Sequence, residues 1–169
     1  NMAIALFLAM LIAQPVKGTK IFRTIFYIPS VISGVAVSII WSWILNSDYG
    51  ILNYLLSLLG IQGPKWLVDP AYAILAVIIA SAFGVGAMML IFYTDIKGIS
   101  SSLYEAASLD GASSARQFFS VTLPLITPTL LFNLITSIIS SFQQVTLVML
   151  LTGGGPLKST YFYGLYTYN

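Results

Sequence analysis

The sequence predicts an all-α, polytopic membrane protein, and three observations predict it. Of its 169 residues, 58% are apolar and 7% are charged, where a soluble domain carries about 25% charge. Its seven Lys/Arg and five Asp/Glu are gathered into short stretches separated by long uncharged ones. Three of the uncharged stretches reach the roughly 20 residues that a helix, rising about 1.5 Å per residue, needs to cross about 30 Å of hydrocarbon.

Asn1 is followed at once by apolar sequence, with neither a basic n-region nor a small-residue cleavage signal, so the chain is expected to be an interior piece of a longer protein. The opening stretch 4–13 is too short to cross alone and reads as the end of a crossing, or else as an interfacial or packed helix. A loop over 14–23 leads to the first full crossing, 25–45, with Pro29 near its cytoplasmic end, its missing donor tolerated within an early helical turn or relieved by water and neighbouring helices. A second loop, 46–70, precedes the crossing 71–94, which Ser81, Gly84 and Gly86 interrupt, the two glycines also permitting close backbone approach. A third loop, 95–123, leads into 124–151, for which Pro124 is a better helix start than Pro128. Pro128 is expected to kink that crossing or to mark a packed irregularity, and the tail from 152 ends the chain.

The first and third loops hold Lys17, Lys20, Arg23, Lys97 and Arg116, whereas the second loop and the tail hold only Lys65 and Lys158. Positive charge is retained on the cytoplasmic side, which places the first and third loops there. Trp41, Trp43 and Trp66, with Tyr49, Tyr54 and Tyr72, gather about the second loop. Rings with one polar atom suit headgroup depth, so these form an aromatic belt on the outer side.

The absence of cysteine and histidine removes disulfides, thiolate nucleophiles, Cys/His metal sites and histidine acid/base chemistry. Asp48, Asp69, Asp95, Glu105 and Asp110 all fall in loops, so no intramembrane acid/base pair is expected and no enzyme is predicted. The pI of about 8.9 does not point to nucleic acid, because seven basic residues spread over several loops make no continuous patch. Ser137, Ser140, Ser141, Gln143, Gln144 and Thr146 accumulate in the last crossing, where hydroxyls and amides want partner helices, water or a polar ligand. Helix packing and a transport path explain that stripe equally well.

The third loop carries the densest pattern. Ser102 with Glu105 three residues on fits a capping box, and Leu103, Tyr104, Ala106, Ala107 and Leu109 supply an apolar surface. Asp110 and Gly111 end or turn that helix. A second piece is expected over 113–119, with Arg116 wet and Phe118 and Phe119 against apolar surface, so that the loop is an amphipathic platform.

Glu105-Ala106-Ala107, Gly111 four residues beyond, and Val121-Thr122-Leu123-Pro124 after nine more reproduce the cytoplasmic EAA loop, including the internal Asp110-Gly111-Ala112. On that spacing the chain resembles the MetI-like permease subunits of binding-protein-dependent ABC importers. The resemblance runs from FRTIFYIPSVISGVAVSIIW through WLVDP to LLTGGGPLKST and is similar to the carbohydrate, MalF-like branch.

The resemblance implies a single transmembrane permease domain over 1–169, incomplete, with a coupling loop at 95–123 and an outer loop at 152–169 before a further helix. It implies that 102–109 docks on a cytoplasmic ATPase, with Glu105 bracing the contact, Ala106 and Ala107 allowing close approach, and Asp110 and Gly111 making the turn. It implies that Phe83, Gly84, Ala87, Ser137, Ser140, Ser141 and Gln144 line the translocation path for a sugar. Ser137, Ser141 and Gln144 are spaced to share one helix face. The partners implied are a second permease subunit, two cytoplasmic ATPase subunits and an extracytoplasmic solute-binding protein in a bacterial inner membrane. This chain would hold no cofactor, and ATP and Mg would sit on the ATPase. Gly153-Gly154-Gly155-Pro156 lacks the Lys-Ser/Thr of a phosphate loop and suits an outer turn, whether structural or in contact with the binding protein. A secondary transporter or channel fragment, a membrane assembly subunit, or an ABC permease for a non-sugar solute are the competing readings.

Overall fold

Each of the three long apolar stretches is helical, and each is broken. The computed structural model describes residues 1–14 and 18–168; Lys17, counted above among the cytoplasmic charges, lies outside them. The described residues form helices joined by turns, with no strand among them.

Stretch 25–45 falls into α2 (Thr19–Val31) and α3 (Gly34–Ile44). Pro29 sits near the end of α2, which rules out the first of its two expected settings, an early helical turn. Its missing N–H leaves the Ile25 carbonyl without the usual donor, and the helix stops two residues later. Ser33 then starts α3 by accepting a hydrogen bond from the Ala36 amide at 3.3 Å. Stretch 71–94 falls into α5 (Pro70–Ala82) and α6 (Gly86–Gly98). Asp69 caps α5 through the Ala71 amide at 2.9 Å, with Pro70 in the first position that tolerates it. At the joint, the Phe83 and Gly84 amides donate three residues back to the Ala80 and Ser81 carbonyls, which tightens and ends the turn.

The last stretch is more divided than the sequence suggests. A short α9 (Leu123–Leu125) precedes α10 (Thr127–Phe142), and α11 (Thr146–Leu151) follows a gap at 143–145. Pro124 and Pro128 both occupy first turns, so Pro128 starts a helix as well. The bend between α9 and α10 lies at Ile126, where Pro128 has no N–H to offer the Pro124 carbonyl. No single helix among the described residues is long and apolar enough to cross a membrane; three pairs separated by short breaks satisfy length and composition together.

The chain divides into two compact units, Asn1–Ser30 with Val85–Ser137, and Val31–Gly84 with Ile138–Asn169. In the first, α1 (Met2–Ala13) packs on α6: Ala5, Ala9 and Ile12 are buried against Val85, Met89 and Phe92. Alanines four residues apart let two backbones approach closely, which is how helices associate where no water drives them together. Gly86 does the same for α2. A Cβ there would lie inside the contact limit of the Phe26 carbonyl oxygen and 2.8 Å from the Tyr27 Cα. Arg23 of α2 lies over the Tyr93 ring of α6, 4.7 Å from its centroid.

In the second unit, Val77 and Ala80 of α5 pack with Leu147, Val148 and Leu151 of α11 and with Leu165 of α12 (Tyr163–Tyr168). The segment between α3 and α5 contains α4 (Ile51–Leu58) and is tied by one side chain. Asn53 donates to the carbonyls of Ser47 and Pro64 and accepts from the Trp66 indole at 2.7 Å. Asn53→Leu strands those three groups, at a cost of about 2 kcal/mol. We expect roughly thirtyfold faster amide exchange over 47–66, with α5 unchanged; unaltered exchange in that segment would refute the tie.

Candidate coupling platform and path residues

The third loop folds as a sequence of capped turns. Helix α7 (Ser101–Leu109) begins two residues earlier than the capping box requires. Ser100 is its N-cap, accepting from the Ser102 amide at 3.4 Å, and its hydroxyl meets that of Ser102 at 2.7 Å. Ser102 is therefore inside the helix, and the expected Ser102/Glu105 box does not form. Three adjacent serines offer three caps, and Ser100 is the one that precedes the first full turn.

The helix closes as expected. Asp110 is the C-cap and Gly111 follows with φ +76, a left-handed conformation that favours glycine. The Gly111 amide donates to the Ser108 carbonyl at 3.0 Å and the Ala112 amide to the Ala107 carbonyl at 2.9 Å. Those two bonds define a Schellman turn. Helix α8 (Ser114–Gln117) starts on Ser113, which accepts from the Arg116 amide, and runs on into a π-helical stretch, Phe118–Thr122.

Side chains that the sequence did not single out for this role lock the pieces together. Gln117 donates to the Ser108 hydroxyl at 2.9 Å and to the Ala112 carbonyl at 3.1 Å, bridging α7 and α8. The Tyr104 hydroxyl meets that of Thr122 at 2.8 Å, with Thr122 buried. Tyr104 was expected as apolar surface; its ring is half-buried and its hydroxyl is the anchor. Asp95, expected in a loop, lies within α6, as does Lys97. The Asp95 carboxylate accepts from the Thr129 hydroxyl, and the buried Asn133 donates to the Thr129 carbonyl at 2.9 Å. The spacing between partners in these contacts, up to 34 residues, carries no local signal.

What remains outward on α7 is Leu103, Glu105, Ala106 and Leu109, the last 90% exposed. The Glu105 carboxylate forms no hydrogen bond or ion pair among the described residues, and Ala107 is half-buried. The arrangement is a rigid two-helix platform with an apolar, singly acidic face turned away from its own unit.

The path candidates are spread over several elements. Phe83 and Gly84 form the exposed joint after α5, and Ala87 is exposed in the first turn of α6. Phe83 stands edge-on to Trp41 at 5.8 Å, and the buried Trp41 indole N–H has no partner among the described residues. Ser137, Ser140 and Ser141 lie on α10, with Ser140 and Ser141 exposed in its last turn. Gln144 lies beyond the end of α10, so the shared helix face expected for Ser137, Ser141 and Gln144 holds for the two serines alone. Gly153 and Gly154 have φ +59 and +84 and form the expected turn. Thr160 pins it, meeting the Thr152 hydroxyl at 2.6 Å and donating to the Gly155 carbonyl at 2.8 Å.

Residues 2–169 match the family of binding-protein-dependent transport system inner membrane components. The chain belongs to that family. This permease chain is similar to a probable ABC transporter permease protein, YesP, of Bacillus subtilis, 43% identical over 99% of the chain and 55% of the relative. It is also similar to the trehalose/maltose transport system permease protein MalF of Thermococcus litoralis, 34% identical over 95% of the chain and 55% of the relative. Its fold is similar to a chain of a bacterial alginate ABC transporter solved in complex with an alginate pentasaccharide-bound periplasmic protein. There the TM-score is 0.80 at 26% identity, covering 94% of the permease chain and 56% of the other. The chain thus spans about half the length of the curated relatives it matches. The all-α, MetI-like architecture expected from the sequence is the one observed.

Proposed function

We propose that the chain is part of a membrane-spanning permease subunit of an ATP-driven sugar importer, and that the α7–α8 platform is its coupling handle. The observation that carries this reading is the platform itself. Glu105-Ala106-Ala107 and Gly111 stand at the EAA spacing on a helix locked at both ends, with an exposed face and an uncommitted carboxylate. A rigid body of this kind can transmit a push or rotation from a partner, whereas a slack loop cannot. The partners are a second permease subunit, two cytoplasmic ATPases that hold ATP and Mg, and an extracytoplasmic binding protein facing Gly153-Gly154-Gly155-Pro156. The chain hydrolyses nothing itself. The trehalose/maltose and alginate systems among its relatives support a carbohydrate as the solute. Phe83, Gly84, Ala87, Ser137, Ser140, Ser141 and Gln144 are assigned to its route, where hydroxyls and an amide can exchange hydrogen bonds with sugar hydroxyls.

The topology has a direct test, because the chain contains no cysteine. Leu109 and Leu157 are each 90% exposed and take no part in the cores. In intact cells, a membrane-impermeant maleimide should label Leu157→Cys and leave Leu109→Cys untouched; in inside-out vesicles stripped of the ATPase the pattern should reverse, and adding the ATPase back should protect Leu109→Cys. Labelling of Leu109→Cys from outside the cell would remove the coupling role.

A further inference from the structure

The end of α3 and the segment between α3 and α5 form an open, concave cavity of about 640 Å³, wholly within the second unit. That volume is ordinary for a small-molecule site of about 300–1,000 Å³. Trp43, Tyr49 and Tyr54 line it with exposed rings, and Ser57 and Gln62 add hydrogen-bonding groups. Asp48 and Lys65 contribute one charge of each sign, so the lining is balanced and does not select an ion. The side chains of Asp48, Gln62 and Lys65 form no hydrogen bond among the described residues.

The walls are built without help from a ligand. Asn53 spends both amide hydrogens and its carbonyl on Ser47, Pro64 and Trp66, holding opposite sides of the cavity at fixed separation. The Asn46 side chain accepts from the amides of Asp48 and Tyr49 at 2.9 and 3.2 Å, which fixes the turn that presents Tyr49. A site already ordered loses little entropy when it is filled.

We propose that this cavity is a carbohydrate subsite, separate from the path residues, which holds a neutral sugar unit at the outer face of the permease. Aromatic rings cover the C–H faces of a pyranose, and unspent donors and acceptors at the rim meet its hydroxyls. A flat protein surface would leave the concavity empty, and a nucleic acid would need more positive charge than Lys65 alone. The assignment of the sugar class and of the outer side rests on the importer reading above.

The test uses the intact transporter, without its binding protein and without ATP, in phosphatidylcholine nanodiscs. Maltose, trehalose, lactose and maltopentaose are titrated by saturation-transfer NMR. We expect at least one to bind, with its dissociation constant raised at least tenfold by Trp43→Ala and about threefold by Gln62→Ala. Val68→Ala, exposed but outside the lining, should leave it unchanged. Gln62 is exposed and its side chain bonds to no other described residue, so its effect survives if Trp43→Ala folds poorly. The proposal is overturned if none of the four binds, if both variants bind as the parent does, or if native mass spectrometry finds phosphatidylcholine held by Trp43 in place of sugar. Failure of the importer reading would register elsewhere, as an absence of solute-stimulated ATP turnover in the unaltered transporter.

Discussion

Gly86→Ala is expected to cost about 3 kcal/mol, the upper end for overpacking, and to lower the unfolding midpoint by roughly 6–12 °C. The reason is what the new methyl would meet. Its neighbours are backbone atoms of α2, the Phe26 carbonyl and the Tyr27 Cα at 2.8 Å, which cannot rotate away as a side-chain tip could. The crossing of α2 and α6 must open, and the Arg23–Tyr93 contact between the same helices opens with it. Gly34 and Gly98 are the controls, since a Cβ at either meets nothing within 4 Å. Alanine there should be neutral or slightly stabilising through helix propensity. Thermal unfolding of the purified transporter decides the matter: a Gly86→Ala midpoint equal to those of the two controls would refute the close approach.

The same residue illustrates how much of this fold is legible in the sequence. Composition gave the class, because a chain with 7% charge cannot face water throughout. The local signals for the breaks were also present. Pro29 followed by Ser33-Gly34, and Phe83-Gly84 before Gly86, are stop and start punctuation, yet hydropathy alone reads each stretch as one crossing. Hydropathy sums over a window and is blind to a single missing N–H. Gly86 was legible as a place of close approach but its neighbour was not, since Phe26 lies 60 residues away in the chain.

The platform divides in the same way. Asp110-Gly111 dictates a turn whatever surrounds it, and the turn is there. The choice among Ser100, Ser101 and Ser102 as cap depends on where the backbone leaves α6, so the capping box was placed too late. Gln117, Thr122 and the Asp95–Thr129–Asn133 cluster are ordinary polar residues until the fold brings them together. Gln144 fails for a related reason. An i,i+3 relation holds only while the helix lasts, and α10 ends at Phe142.

Gly111→Val and Glu105→Lys should both lower solute-stimulated ATP turnover and uptake at least tenfold while the subunit remains in the membrane at normal level, and they should do so for different reasons. At Gly111 no atom lies within 4 Å of an added Cβ, so the whole penalty is conformational. A left-handed residue costs about 1–2 kcal/mol without glycine, more when β-branched. Relief comes by unwinding the turn, which breaks the Ala112–Ala107 bond and tilts α7 away from the Gln117 bridge. Asparagine tolerates this conformation, so Gly111→Asn should restore a substantial part of the activity that valine removes. Glu105 offers the complementary case. Its carboxylate is exposed and bonds to nothing among the described residues, so reversing its charge leaves α7 intact. Any loss on Glu105→Lys must therefore arise in a partner that the carboxylate faces, and Glu105→Gln should show a smaller loss because it removes the charge without reversing it. Normal coupling in both Glu105→Lys and Gly111→Val would leave the platform without a role, whereas loss in Gly111→Val alone would keep the lever and discard the acidic contact.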